Sequence, residues 1–221
     1  MLASVNREAS IENTVEFVKE TLQGAEGGHD WFHTLRVWNT AQSIARSENV
    51  DHFVVSLGAL LHDIADAKFH RGDESVGPRV ASAFLRAEGV DEGVVEHVVQ
   101  IITHISFKGG NEVQSFRSPE LDVVQDADRL DAIGAIGIAR TFNYGGLMGR
   151  KLYDPDIKAN LTMSKEEYRN STAPTINHFY EKPLLLKERM NTKTGRALAE
   201  GRHQFMKEFL DRFYREWEGE S

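Results

Sequence analysis

Residues 53–66 read Phe53-Val54-Val55-Ser56-Leu57-Gly58-Ala59-Leu60-Leu61-His62-Asp63-Ile64-Ala65-Asp66. Drawn as a helix, this segment is apolar on most sides, yet it closes on three polar residues, His62, Asp63 and Asp66. Burying an imidazole and two carboxylates costs free energy unless a strong partner compensates, and a divalent cation is one such partner. Exposed acids at a helix C-terminus are the alternative, but the helix dipole disfavours acids there.

Working outward, apolar residues recur at helical spacing along nearly the whole chain, and no run alternates over the length of a strand. We therefore predict an all-α fold. Asp30, Asp51 and Asp91 are candidate N-caps. Residues 143–175 are rich in Gly and Pro, which predicts a functional loop, a lid or a mobile region. The predicted helices are 10–22, 30–48, 52–66, 74–88, 92–104, 119–140 with breaks at its glycines, 176–190 and 194–217.

Composition excludes several classes of function. The chain has 221 residues and no Cys, so disulfides, thiolate nucleophiles and zinc-thiolate sites are ruled out, and any metal must be held by His, carboxylates and water. A formal net charge of −8 has the wrong sign for broad nucleic-acid binding. The N-terminus lacks the order of a signal peptide, and no apolar run approaches the roughly 18 residues of a membrane span. We expect a cytoplasmic protein.

Two further segments carry ligand-type residues. His33 falls at the edge of the apolar arc of the second predicted helix, where a lone His is more often a hydrogen-bonded core residue than a ligand. Asp126, Asp128 and Asp131 lie within another apolar segment. By helical spacing Asp128 and Asp131 share one side and Asp126 lies on the opposite side. Composition alone does not indicate which of the three acids is a ligand.

Together these residues resemble a known family. His33 in His-Asp-Trp-Phe-His-Thr-Leu-Arg-Val, the pair His62-Asp63 in Leu-Leu-His-Asp-Ile, and Asp128 in Asp-Ala-Asp-Arg-Leu-Asp-Ala resemble the H…HD…D signature of HD-domain phosphohydrolases. The C-terminal part, 179–206, is similar to a small predicted HD hydrolase subgroup. The resemblance implies one HD-type helical bundle over residues 1–221, with a core at about 28–140 and C-terminal helices at about 176–218 packed on it.

The resemblance also implies a ligand set. One divalent ion would be held by His33, His62, Asp63 and Asp128, with its remaining positions open to water and substrate. Two neutral imidazoles and two carboxylates nearly neutralise such an ion but leave it able to activate water. Nitrogen and oxygen ligands suit manganese, iron, magnesium or zinc, and affinity order does not decide among them.

Other residues receive roles by the same resemblance. Asp66 would position or deprotonate the attacking water, or else orient His62. Lys68 and Arg129 would bind the substrate phosphates, unless they are solvated surface charges. His97 and His104 are seven apart on one helical face and could hold a second metal, although packed His residues are the commoner outcome.

The function that the resemblance implies is metal-dependent hydrolysis of a small phosphorylated metabolite, and a nucleotide is the favoured substrate. By similarity to related small bacterial proteins, the substrate would be a nucleoside triphosphate cleaved to monophosphate and pyrophosphate. One alternative is a di-iron oxygenase on the same scaffold, which would need His97 or His104 as ligands. Another is a metal- and nucleotide-sensing module without turnover. No extended nucleic acid or membrane is expected as partner, and a homo-oligomer is left open.

Overall fold

The structure is a computed structural model that describes residues 6–24, 30–65, 73–105, 115–163, 167 and 171–220. Every regular element within these ranges is a helix, which confirms the all-α prediction. No helix in these ranges is long and apolar enough to cross a membrane. The chain divides into two compact units, Met1–Ala127 and Asp128–Ser221. The expectation of one HD-type domain concerns both units together and stays a prediction.

The first unit is built around one buried helix, α3, which packs against α1, α2 and α5. All residues of α3 from Phe53 to Leu61 are buried, as the apolar stretch predicts. The predicted caps are confirmed, because Asp30, Asp51 and Asp91 each accept a backbone N–H at the start of a helix. In the described part of this unit the helices are α1 (Arg7–Thr21), α2 (Trp31–Ala45), α3 (His52–Leu61), α4 (Val76–Ala87), α5 (Glu92–His104) and most of α6 (Pro119–Asp131).

Helix α3 ends at Leu61, about one turn before the predicted end at residue 66. His62 is its C-cap, and the His62 ring donates from Nδ1 to the carbonyl oxygen of Ala59 at 2.8 Å. In a continuing helix that carbonyl would accept from the amide of residue 63. The side chain therefore satisfies one of the carbonyls that the helix end leaves open.

Gly58 allows α3 to approach its neighbours closely. A Cβ built at this position would lie 3.2 Å from Cδ1 of Ile101 on α5 and 3.5 Å from Cγ2 of Val124 on α6. The absence of a side chain at Gly58 thus brings three helices together directly beneath the C-terminal end of α3.

Among its described residues, the second unit contains three α-helices and one 3₁₀ helix. Helix α9 contacts α7 and a 3₁₀ helix, and α7 and the 3₁₀ helix both contact α8. Besides the last residues of α6, the elements described here are α7 (Gly134–Leu147), α8 (Thr175–Glu181), the 3₁₀ helix (Pro183–Arg189) and α9 (Lys193–Trp217).

The predicted helix 119–140 is broken at Gly134, which has a φ of +73°. Side chains supply further donors to the carbonyls at the end of α6: the Leu130 carbonyl accepts from Arg202 as well as from the amide of Ile133, and Arg140 donates to the carbonyl and the carboxylate of Asp131. The glycine then lets the chain leave the helix in a left-handed conformation that other residues rarely adopt.

The prediction of an irregular region at 143–175 is wrong for its first residues, because α7 continues to Leu147. Gly145 lies within this helix, and any Cβ there would collide with the side chain of Thr175 at the start of α8. Beyond the helix, the chain is held to α8 by bonds from Thr175 N to the Lys151 carbonyl and from Asn177 Nδ2 to the Ile157 carbonyl. Gly145 therefore allows α7 and the start of α8 to pack closely.

The close approach at Gly58 predicts that a larger residue lowers stability. Gly58→Val should reduce the free energy of unfolding by about 1–3 kcal/mol, because the core around Ile101 must move to accept two methyl groups. The matched control is Gly201→Val on α9, where a Cβ meets nothing within 4 Å and the change should be under about 0.5 kcal/mol. Denaturant titration followed by circular dichroism measures both, and equal effects would contradict this packing.

His178 on α8 predicts an acid-sensitive second unit. Burial, helped by the charges of Lys182 and Arg150, lowers the pKa of His178 from 6.5 to about 4. Since the unfolded chain then takes up the proton first as pH falls, stability should decline between about pH 6.5 and pH 4, by up to about 3 kcal/mol. His178→Gln should flatten this decline in denaturant titrations, whereas His52→Gln, at an exposed position, should not.

Candidate metal centre

Two imidazoles meet where α2 and α3 pack together. His33 lies in the first turn of α2, where its backbone N–H donates to the Asp30 cap at 2.8 Å. His62 follows α3 directly. Both rings are buried, with exposed fractions of 2% and 8%, and their Nε2 atoms lie 3.3 Å apart. His33 therefore shares the core with a second imidazole, and its role as a metal ligand stays a prediction.

The hydrogen bond from His62 to Ala59 fixes which ring nitrogen is available. A carbonyl oxygen can only accept, so Nδ1 of His62 carries a hydrogen, and in the neutral ring the lone pair is on Nε2. That lone pair points at Nε2 of His33. A backbone carbonyl that fixes the tautomer in this way is the usual support of a metal-binding imidazole.

Asp128 completes a group of three possible ligands. One carboxylate oxygen of Asp128 and one ring nitrogen each of His33 and His62 all lie within 4.8 Å of one another. Ligand atoms about 2.0–2.2 Å from an ion are at most about 4.4 Å apart, so small side-chain movements would close this group on a cation. The donor set of nitrogen and oxygen fits the divalent ion expected from the sequence.

Asp128 reaches this position through α6. Val124, one turn earlier on the same helix, packs beside Gly58 of α3. Asp128 and Asp131, which are predicted to share one side of the helix, have different partners. Asp131 is 4% exposed and pairs with Arg140, whereas Asp128 lies near the two imidazoles. Asp126, on the other side, is fully buried.

The other residues predicted for the site do not belong to this group of three. Asp63 is half-buried beside His62 but is not part of the group of three, so its role as fourth ligand stays a prediction. Asp66 and Lys68 lie outside the described residues, and their roles stay predictions as well. Arg129 follows Asp128 and donates from Nη1 to the carbonyl of Arg189 in the 3₁₀ helix.

His97 and His104 share one face of α5, as their spacing predicts, but lie apart from the metal-capable group. Nε2 of His97 bonds to Oγ of Ser118 at 2.8 Å, and Nε2 of His104 bonds to Oγ of Ser115 at 3.0 Å. The ring of Phe116 packs against both imidazoles. Within the described ranges the group His33, His62 and Asp128 includes neither residue. His97 instead lines an open pocket of about 590 Å³ on α4 and α5.

Sequence reasoning did not single out Lys182, the C-cap of α8. Burial lowers the pKa of Lys182 below its ordinary value; the charge of Asp128 opposes this and that of Arg140 adds to it. Lys182 lies in the C-terminal stretch that resembles the HD subgroup, more than 50 residues after the last motif residue, Asp128.

Comparison with known proteins shows the family of the chain. The HD domain family model matches residues 31–133, which include His33, His62, Asp63 and Asp128. YpgQ of Bacillus subtilis, an uncharacterized protein, is 39% identical over 197 residues, covering 88% of this chain and 87% of YpgQ. A crystal structure of an HD-superfamily hydrolase from Bacillus thuringiensis is 41% identical, covers 96% of this chain and 99% of its own, and has a TM-score of 0.77.

YpgQ has also been crystallised in complex with ADP. That structure is 34% identical in the structural alignment, covers 95% of this chain and 96% of its own, and has a TM-score of 0.73. The family model and the relatives that cover most of the chain agree on the family. The chain belongs to the HD superfamily of hydrolases.

Proposed function

We propose that this protein is a metal-dependent phosphohydrolase that acts on a small phosphorylated metabolite, and that this metabolite is a nucleotide. The observation that carries the proposal is the buried group of His33, His62 and Asp128, in which the His62 tautomer leaves Nε2 available for a cation. The complex of YpgQ with ADP supports a nucleotide. Within this class we favour a nucleoside triphosphate cleaved to monophosphate and pyrophosphate.

In the proposed reaction, each residue of the site has a separate role. When bound, a divalent ion supplies the Lewis acidity that activates water and polarises a phosphoryl oxygen. His33 and His62 hold their rings in place through helix packing and the Ala59 carbonyl. In the proposal Asp63 is the fourth ligand and Asp66 takes the proton of the attacking water.

Charge also favours a small substrate over a long polyanion. The chain carries a net charge of −8, so extended nucleic acid would be repelled from most of its surface. A metal ion held by two neutral imidazoles and by carboxylates keeps local positive character at the site. In the proposal Arg129 and Lys68 add to it, and manganese is the metal to test first.

A di-iron oxygenase receives less support. It would need His97 or His104 as extra ligands, and in the described structure these rings bond to serine hydroxyls beside Phe116. A sensing module without turnover has the same metal group and differs only in chemistry. A hydrolysis assay therefore distinguishes the two, because a sensing module would bind metal without turnover.

The wild-type protein should bind about one manganese per chain and release phosphate or pyrophosphate from at least one nucleotide. His62→Ala should lose the metal and at least about 100-fold in kcat/KM, because it removes a buried ligand. His52→Ala, at the exposed start of α3, is the matched control. Elemental analysis and a screen of nucleoside mono-, di- and triphosphates measure both properties. Metal bound without turnover on any of them would support the sensing module instead.

Asp63→Ala tests the fourth ligand separately. We expect weaker metal binding and a fall in turnover of at least about 10-fold, because one charged ligand is lost. Asp211→Ala, an exposed change on α9 at a residue paired with Arg215, is the control. Unchanged metal content and unchanged turnover in Asp63→Ala would remove this residue from the site.

A further inference from the structure

A buried glutamine joins α6 to the end of α5. Gln125 is 3% exposed, and its Nε2 donates to the carbonyl oxygens of His104 at 2.9 Å and of Ile105 at 3.4 Å. His104 is the last residue of α5, and Ile105 is its C-cap. The last carbonyls of a helix have no amide partner within that helix. Gln125 therefore supplies a donor that the end of α5 needs.

The first turn of α6 is joined to α5 and α3 as well. Oγ of Ser118 accepts from the amide of Leu121 at 3.1 Å, and a hydrogen bond of 2.8 Å links it to Nε2 of His97 on α5. The carboxylate of Glu120 accepts from the backbone amide of Asp51, the N-cap of α3, at 2.9 Å. Polar contacts therefore hold α6 at its start, and the glutamine holds it about two turns later.

The two contacts between α5 and α6 have the same spacing on both helices. His97 and His104 are seven residues apart on α5, and Ser118 and Gln125 are seven residues apart on the other side. Seven residues make about two helical turns, or about 10.5 Å. A slip of α6 by one residue would move its side chains by about 1.5 Å and turn them by about 100°, so both contacts would be lost. Together they fix the advance and the rotation of α6.

Asp128 takes its place from this arrangement because it belongs to the same helix. It follows Gln125 by three residues, about 4.5 Å along the axis of α6. Val124, one turn before Asp128, packs beside Gly58 of α3, so α3 and α5 both restrain the stretch that leads to the carboxylate. A metal ligand must be held to within about 0.5 Å of its productive position. A residue that fixes α6 therefore affects metal binding without touching the ion.

We propose that Gln125 is a positioning residue for the metal ligand Asp128. Its bonds to the end of α5 set the advance and the rotation of α6, and the helix carries the Asp128 carboxylate to the imidazoles of His33 and His62. The assignment rests on the proposed function and deepens it, since Gln125 acts on the cation only through Asp128. Loss of the amide would take this donor from buried carbonyls, and α6 would shift to satisfy them.

Gln125→Leu tests this role through the affinity for Mn²⁺. The variant removes the donor, so Mn²⁺ should bind at least about 10-fold more weakly, the loss typical of groups that support a ligand without touching the metal. Gln125→Asn keeps the amide but withdraws it by about 1.5 Å, and it should lose less. Gln100→Leu, at an exposed position of α5, is the matched control and should bind like wild type. Electron paramagnetic resonance of free Mn²⁺ measures the affinities, and unchanged affinity in Gln125→Leu would overturn the assignment.

A second control separates positioning from a general loss of stability. Met206→Ala, at a fully buried position on α9, lowers the thermal midpoint by leaving a cavity. At a temperature where every variant is folded, it should bind Mn²⁺ like wild type, whereas Gln125→Leu should not. A loss of affinity in Met206→Ala as large as that in Gln125→Leu would overturn the assignment, because affinity would then follow stability. If Gln125→Leu does not fold, Gln125→Asn takes its place in this comparison.

A double-mutant cycle shows whether Gln125 acts through Asp128. Once Asp128→Ala has removed the carboxylate, the further change Gln125→Leu should alter the affinity for Mn²⁺ by less than about 2-fold. Fully additive losses would contradict the assignment, because Gln125 would then act through another part of the site.

The same titrations distinguish this assignment from the proposed function. Wild-type protein that binds no Mn²⁺ would overturn both. Wild-type protein that binds Mn²⁺, with the same affinity in Gln125→Leu, would overturn the role of Gln125 alone.

Discussion

The hydrogen bond between the His62 ring and the Ala59 carbonyl is the interaction on which the site depends. It ends the buried helix α3, satisfies one of its open carbonyls, and leaves Nε2 of His62 with a lone pair directed at His33. One contact therefore links the fold to the chemistry, because the element that forms the centre of the first unit also presents the ligand. The close packing at Gly58 places α6, and with it Asp128, on the same site.

A group of two imidazoles and a carboxylate in such surroundings is costly without a cation. Burial reduces the exposed fraction of His33 to 2% and that of His62 to 8%, so water offers little compensation. A chain without Cys has only nitrogen and oxygen ligands to offer, and these suit the hard or borderline divalent ions that support phosphoryl transfer. The excess of acidic residues is compatible with the proposed phosphate substrate, because a cation bound at this group would supply positive charge locally.

Much of the first unit could be predicted from the sequence. The helix caps at Asp30, Asp51 and Asp91 follow from local chemistry, and the burial of α3 follows from its apolar run. The grouping of His33, His62 and Asp128 required the family resemblance, since spacing alone left each of them open. What could not be predicted depends on contacts between distant residues. The end of α3 is set by a side chain, and the continuation of α7 accompanies the close packing of Gly145 against Thr175.

The central claim is that His33, His62 and Asp128 hold one divalent cation. Anomalous diffraction from crystals grown with manganese tests it most directly. The account predicts a single strong peak about 2.0–2.3 Å from Nε2 of His33, Nε2 of His62 and a carboxylate oxygen of Asp128. A peak beside His97 or His104, or no peak at the buried imidazole pair at saturating manganese, would contradict it.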